Sequence, residues 1–304
     1  MNNTVERVIQ SPDKDAIGDM ATYCVGCGAC AYLDPAFNIV KNIDGCYQAS
    51  VQGSIVNEDA VGSACPFASS INEDVLGGEL FSKQADVHHD QYLGYWLNAY
   101  VGYVSADGWR SRGSSGGMVS WLASKMLEDG LVDAVIHVKD GPDPEHMYTY
   151  QVSHSVDELK TGAKSKYYPI EMSEVLSYVR EHDGKYLFIG IPCFVKAIRL
   201  LRRQDEVLNK RIRYCIGLVC GHLKSDFFAK SEAWESGVPL DDIASGIRPR
   251  AALLLIMRLK SGGLVGKGLS SSVLLNSPLQ IGDWAISSTM HAITVMTYLL
   301  RLQM

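Results

Sequence analysis

Cys24, Cys27 and Cys30, in the stretch CVGCGAC, are the residues whose type and spacing bear most directly on chemistry. Thiolates are soft donors, and C-x2-C-x2-C lets one loop wrap three irons of a cubane cluster. Asp34-Pro35 stands where a two-cluster ferredoxin carries a further cysteine before proline, and that cysteine ligates the other cluster. Its replacement removes a second cluster and leaves the first untouched. A [4Fe-4S] cluster here therefore needs a distant fourth thiolate, and Cys65-Pro66 in ACPF supplies one. Cys46, in DGCY, is the rival donor; its plainer reading is a small buried hydrophobe. Gly26 and Gly28 are expected to let backbone amides approach the sulfides. Four thiolates also suit tetrahedral zinc, but zinc sites usually bring two separated C-x2-C pairs, not a triplet plus Cys-Pro.

A second set of candidates lies further on. RSRGSSGGMVS (110–120) is a Gly- and Ser-rich loop that opens a helix. Free amides and hydroxyls at a helix N-terminus suit a phosphate, with Arg110 or Arg112 adding charge; the plainer reading is a helix cap. GIPC (190–193), which includes Pro192, and GLVCGH (217–222) each end a strand. Loops at the carboxyl ends of parallel strands are where such sheets bind ligands, and here they bring Cys193 and Cys220 to the same end. A thiol enzyme built on Cys193 would gain from a helix N-terminus, which lowers a thiol's pKa, but no base partner is evident. His222 is isolated, His88 and His89 precede Asp90 in a polar linker, and His137 and His154 fall in or beside strands as structural residues.

These residues need elements to hold them. Residues 1–20 form a polar lead-in, and 21–90 a small cluster-binding module that contains five of the eight cysteines. Over 91–245 strands and helices alternate, which predicts an α/β domain with a mainly parallel sheet. The expected elements are an aromatic strand at 92–105, a helix at 116–130 stopped by Gly130 and a strand at 131–138. They continue with a helix at 173–182, a strand at 185–192, a helix at 193–203, a strand at 211–220 and a helix at 227–237. The fold class is thus α/β, or α+β when the small ferredoxin-like module is included.

Charge and hydropathy exclude several classes. The net charge of −6 argues against general nucleic-acid binding. The longest uncharged apolar run, AALLLIM (251–257), is far short of the ~20 residues that span a bilayer. The polar N-terminus has no apolar signal-peptide core, so the expected location is cytoplasmic, where free thiols are the rule. From 246 to 304 six Lys or Arg face the single Asp283, a basic and acid-poor tail of +5 on a body of −11. Such a tail reads as a surface- or partner-binding element, or as a truncated or frame-shifted C-terminal domain.

YCVGCGAC, RGSSGGMVS, AKSKYYP, GIPCFVKAIR and GLVCGHLKS occur in the order found in the beta-subunit family of coenzyme F420 hydrogenases and dehydrogenases, which the chain resembles over about residues 20–245. Relatives of that family include 7-hydroxymethyl chlorophyll a reductase. The resemblance implies an FAD-containing iron–sulfur oxidoreductase that passes electrons between a [4Fe-4S] cluster, FAD and a partner such as coenzyme F420, ferredoxin or another subunit. A non-catalytic electron-transfer or scaffold subunit is the alternative. By position, Arg112, Gly113, Ser114, Ser115, Gly116 and Gly117 resemble the flavin phosphate loop, Lys166 and Tyr167 residues near the flavin or its partner, and Pro192 part of the cofactor edge. Cys193 and Cys220 resemble two ligands of a second cluster. The family draws that cluster's other two ligands from a later C-x2-C, yet no cysteine follows Cys220 in this sequence; only IGDW (281–284) resembles a downstream motif. Cys215, inside an alternating strand, reads as packed.

Overall fold

The computed structural model of the chain describes residues 23–106, 108–143, 146–220 and 222–235. The lead-in over 1–20 and the basic tail over 246–304 lie outside the described residues. Helix formation follows apolar spacing. In PCFVKAIRLLRRQ, Phe194, Val195, Ile198 and Leu201 recur at three- and four-residue steps, so the helix Pro192–Gln204 buries one face. Proline at its first position fits a helix start, where no N–H is needed. Each such side chain contributes about 1.5–3 kcal/mol on burial.

The described elements, in chain order, begin with α1 (Ala29–Leu33), β1 (Phe37–Lys41), β2 (Tyr47–Val51), α2 (Glu58–Ala64) and α3 (Glu73–Phe81). A short hairpin, β3 (His88–Asp90) and β4 (Gly94–Trp96), and one helical turn, α4 (Trp109–Arg112), lead to α5 (Met118–Glu128). Then come β5 (Ala134–Asp140), β6 (Tyr148–Ser153), α6 (Val156–Thr161), α7 (Ser173–Glu181), β7 (Tyr186–Gly190), α8 (Pro192–Gln204), α9 (Glu206–Arg211), β8 (Ile212–Gly217) and α10 (Asp226–Glu235).

The larger sheet has the order β6-β5-β7-β8. β7 runs parallel to both β5 and β8, while β6 folds back antiparallel on β5. The fold is therefore mixed α/β with a mainly parallel sheet. All of β7 is buried, as a central strand covered on both faces must be. Alternation sends Ile136 and Phe188 to one face, against α7 and α8. Val135, Leu187 and Ile189 go to the other, against Ala123 and Met126 of α5.

The N-terminal part adds the antiparallel pair β1–β2. Asn57 and Asn72 cap α2 and α3 through their side-chain oxygens, which accept from Ala60 and Val75. The cysteine loop is sunk into the α/β domain: Cys27 and Ala29 belong to the same apolar core as Val175, Phe188 and Phe194.

The continuous strand expected over 92–105 is not there. Asp90 accepts from the N–H groups of Tyr92 and Leu93 and turns the chain into the β3–β4 hairpin, and residues 97–105 form no helix or strand. β6 was given no bounds from the sequence, although His154, just past its end, was placed in or beside a strand.

Candidate functional site

The cysteine loop is shaped by two glycines. Gly26 and Gly28 have φ of +61° and +87°, in the left-handed region. A Cβ on Gly26 would strike the Tyr47 backbone, and one on Gly28 would meet Glu171 and, at 2.9 Å, the Ser173 N–H. The glycines therefore serve close packing against β2 and the start of α7. The N–H of Met172 donates to the Cys27 carbonyl at 3.0 Å and ties the loop down.

Cys65 arrives from the other direction, as the C-cap of α2. Cys30 and Cys65 share one apolar cluster with Phe37, Ala49 and Val61, and Cys24 packs against it. Burial pushes the Cys27 thiol well up, and the charges of Cys30, Cys65 and Cys24 add to the effect. Cys30 is pushed up to about 12 by burial first and the Cys24 charge second. Burial also raises Cys65, again with Cys24 as a neighbour. The four thiols thus share one electrostatic neighbourhood.

Backbone N–H groups face the sulfurs. Gly26 and Ala49 donate to Cys24 Sγ, each at 3.4 Å. Ala29 lies against Cys27, Ala31 against Cys30, and Phe67 and Ala68 against Cys65, each favouring thiolate. Among the described residues no three Cys, His, Asp or Glu side chains already stand at metal-ligating spacing. Four gathered thiols with N–H donors aimed at sulfur are nevertheless the donor set and hydrogen bonding that suit a cubane. Cys46 stands apart, with Asp44 and Asp226 as its charged neighbours.

Asp34 has a structural task. Its buried carboxylate accepts from Ala36 at 2.9 Å, Val56 at 2.6 Å and Asn57 at 3.0 Å. The hydrogen bond from Ala36 leads in holding it below the usual carboxylate value. Asn57 caps α2, which ends at Cys65, so Asp34 links the triplet's helix to the helix that delivers the remote thiol.

The Gly- and Ser-rich loop borders a cavity of about 560 Å³, lined in part by Tyr103, Arg110, Gly113, Ser114 and Ser115. Gly117, with φ +76°, precedes α5, and a Cβ there would meet the Trp109 carbonyl at 2.6 Å. Gly116 is pressed against the Gly102 carbonyl, and its own carbonyl accepts from the Val104 N–H at 2.9 Å. Arg110, whose guanidinium lies 4.1 Å from the Tyr103 ring centre, lines the cavity; Arg112 does not. The Ser165 N–H donates to Ser114 Oγ at 2.8 Å and joins the SKYY segment to this loop.

Lys166 meets an acidic and an aromatic side chain. Its ammonium lies 3.6 Å from Asp140 and 5.0 Å from the Tyr148 ring centre. Tyr167 packs edge-on against Phe228 at 5.9 Å. Burial raises its phenol, and Cys220 is near enough to contribute.

Cys193 and Cys220 lie together. Burial pushes Cys193 up to about 11, with the Cys220 charge as the next cause. Burial also raises Cys220, opposed by the His222 N–H and the Lys224 charge. Pro192 occupies the first turn of α8 beside Cys193. Tyr150 belongs to the same core as Cys27, and Cys193 packs against that core. Burial drives its phenol far up, and Cys193 and Cys27 both contribute. Its ring stacks on Phe188 at 5.2 Å and leans on Phe194 at 5.9 Å. Tyr150 is a site-lining residue beyond the candidate set, and the alternation of Tyr148 and Tyr150 was the available signal for it; of the two arginines named from the sequence, Arg110 lines the cavity.

The histidines serve structure. His137 is buried, pairs with Ser153 at 2.8 Å and is held down to about 4 by burial, then by Lys139 and Lys166. His89 pairs with Asp74 and His154 meets Tyr178, both at the surface, and His222 contacts Lys224.

Two models of one family, the beta subunit of coenzyme F420 hydrogenase/dehydrogenase, match the chain. The model of the family's N-terminal part covers residues 99–177, and the model of its C-terminal part covers 183–248. The matched regions include the Gly- and Ser-rich loop, SKYY, GIPC and GLVC; the cysteine triplet and Cys65 precede them. No curated protein matches. Among solved structures, a chain of the F420-reducing [NiFe] hydrogenase complex from Methanosarcina barkeri, studied by xenon derivatization, is 18% identical with a TM-score of 0.45. The alignment covers 51% of this chain and 55% of that one, so the chain spans about half the length of that relative.

Proposed function

Across residues 99–248 the chain belongs to the beta-subunit family of coenzyme F420 hydrogenases and dehydrogenases, and on that premise we propose that it is an iron–sulfur flavoprotein subunit of an oxidoreductase. Cys24, Cys27, Cys30 and Cys65 would hold one [4Fe-4S] cluster, and the cavity at Ser114 and Ser115 would take the phosphates of FAD. Coenzyme F420, ferredoxin or a second subunit would be the electron partner. Residues 21–90 would form the cluster part, 91–245 the flavin part, and the cytoplasm the place of action. Among the described residues no helix is long and apolar enough to cross a membrane. The observation that carries the reading is the gathering of four thiols, three local and one remote, under a set of backbone N–H donors.

Bound there, a cubane supplies one-electron steps and a flavin both one- and two-electron steps. The chain's own residues do the rest. N–H groups of Gly26, Ala49, Ala29, Ala31, Phe67 and Ala68 offset negative charge on the sulfurs. With FAD bound, the hydroxyls of Ser114 and Ser115 would offer donors to phosphate oxygens, Arg110 would offset their charge, and the close-packed glycines would let the backbone approach. Tyr150, Phe188 and Phe194 exclude water between Cys27 and the Cys193 edge.

Gly116→Trp tests the flavin part. The indole would collide with the Gly102 carbonyl and residue 103, and would crowd the loop that borders the cavity. Flavin content after anaerobic purification should fall at least about tenfold while iron content stays at the wild-type level. Undiminished flavin in this variant would remove the loop from the site.

A further inference from the structure

Family resemblance assigns Cys193 and Cys220 to a second iron–sulfur cluster, and the residues around them do not fit one. Cys24, Cys27, Cys30 and Cys65 act on one another, Cys46 sits beside Asp44 and Asp226, and Cys215 is 2% exposed within the apolar core. Two thiols remain, half the donors a cubane takes, and no cysteine follows Cys220 in the sequence.

Two neighbouring thiols have a chemistry of their own. Gly190 and Gly217 are register partners at the carboxyl ends of β7 and β8, and the Leu218 N–H donates to the Gly190 carbonyl at 2.8 Å. Cys193 and Cys220 each stand three residues beyond this glycine pair. Adjacent strands run about 4.8 Å apart, and disulfides bridge Cα atoms about 4.4–6.8 Å apart. The sheet therefore brings both cysteines out at the same end of neighbouring strands, where the Cys220 charge reaches Cys193. Cys193 is anchored in the first turn of α8, whereas residues 218–220 belong to neither helix nor strand. A bond between them can open and close without breaking the sheet ladder. Both cysteines are half-buried residues, neither sealed in the core as Cys215 is.

We propose that Cys193 and Cys220 form a reversible dithiol–disulfide couple that exchanges with disulfide compounds. One thiolate attacks the oxidant's disulfide, forms a mixed disulfide and expels one oxidant thiolate. The other thiolate then displaces the second oxidant thiolate. One S–S bond breaks in the oxidant and one forms in the chain; two protons and two electrons pass from the cysteines to the oxidant, which leaves as two thiols. A dithiol reverses the exchange.

The inference stands apart from the cluster and flavin reading, and one experiment separates them. Anaerobically purified protein is equilibrated with mixtures of oxidised and reduced glutathione, trapped with an alkylating agent and digested without reduction for mass spectrometry. The expected product is a peptide pair joining Cys193 to Cys220, about 2 Da lighter than the two free peptides, which disappears with excess dithiothreitol. Cys46→Ser and Cys215→Ser should keep the link, and Cys193→Ser should abolish it. Alkylation of both cysteines at every glutathione ratio would overturn the proposal. So would a link between other thiols in its place, or protection of both cysteines until iron is chelated. Iron content of the same sample reports separately on the first cluster.

Discussion

Asp34 replaces a cysteine in the ferredoxin pattern, and its three backbone hydrogen bonds show what a carboxylate does there: it fastens the start of α2 to the end of α1. Asp34→Ala leaves three N–H groups without their acceptor and loosens the helix that ends at Cys65. The variant should lose iron to a chelator several-fold faster than wild type, followed by absorbance, and Asp34→Asn, which keeps one oxygen, should fall between. His137 sets a pH dependence. Burial depresses its folded pKa from 6.5 to about 4, so between those values the unfolded chain binds more protons and stability rises with pH. This contribution is complete above pH 6.5 and declines as pH falls toward 4. Wild type should therefore lose on the order of 2 kcal/mol between pH 7.5 and 5 relative to His137→Gln, read from urea midpoints at each pH.

At the level of elements, the cysteine loop is held by its contact with the N-terminus of α7. Gly28→Ala puts a Cβ on the Ser173 N–H in a left-handed backbone and should cost at least about 2 kcal/mol, with iron content falling alongside. Gly53, with φ +100° and nothing within 4 Å, is the control: its alanine variant should pay only the backbone strain, about 1–2 kcal/mol, and keep its iron. Helices α5, α7 and α8 were legible in the sequence to within two residues because their apolar residues recur at three- and four-residue steps. The aromatic run 92–105 misled: Tyr92, Tyr100 and Tyr103 are exposed, so aromatic content stood there without a core to enter. β6 escaped because its inward positions include Ser153, a polar residue buried against His137.

At the scale of the whole molecule, Cys27 joins the core of the α/β sheet while Cys30 and Cys65 belong to a smaller cluster with β1 and β2, and Lys41 of β1 reaches both Asp226 of α10 and Tyr168. The triplet and the Cys65-Pro66 signature were readable because both are local in sequence. The N–H donors around sulfur, the Tyr150 stack and the choice of Arg110 over Arg112 depend on tertiary pairing, which no spacing rule carries. The most direct test is iron, sulfide and zinc content of anaerobically purified wild type, Cys65→Ser and Cys46→Ser. Wild type and Cys46→Ser should each hold about four iron and four sulfide per chain, and Cys65→Ser should lose most of both. Stoichiometric zinc without sulfide in wild type, or full iron in Cys65→Ser with loss in Cys46→Ser, would contradict it.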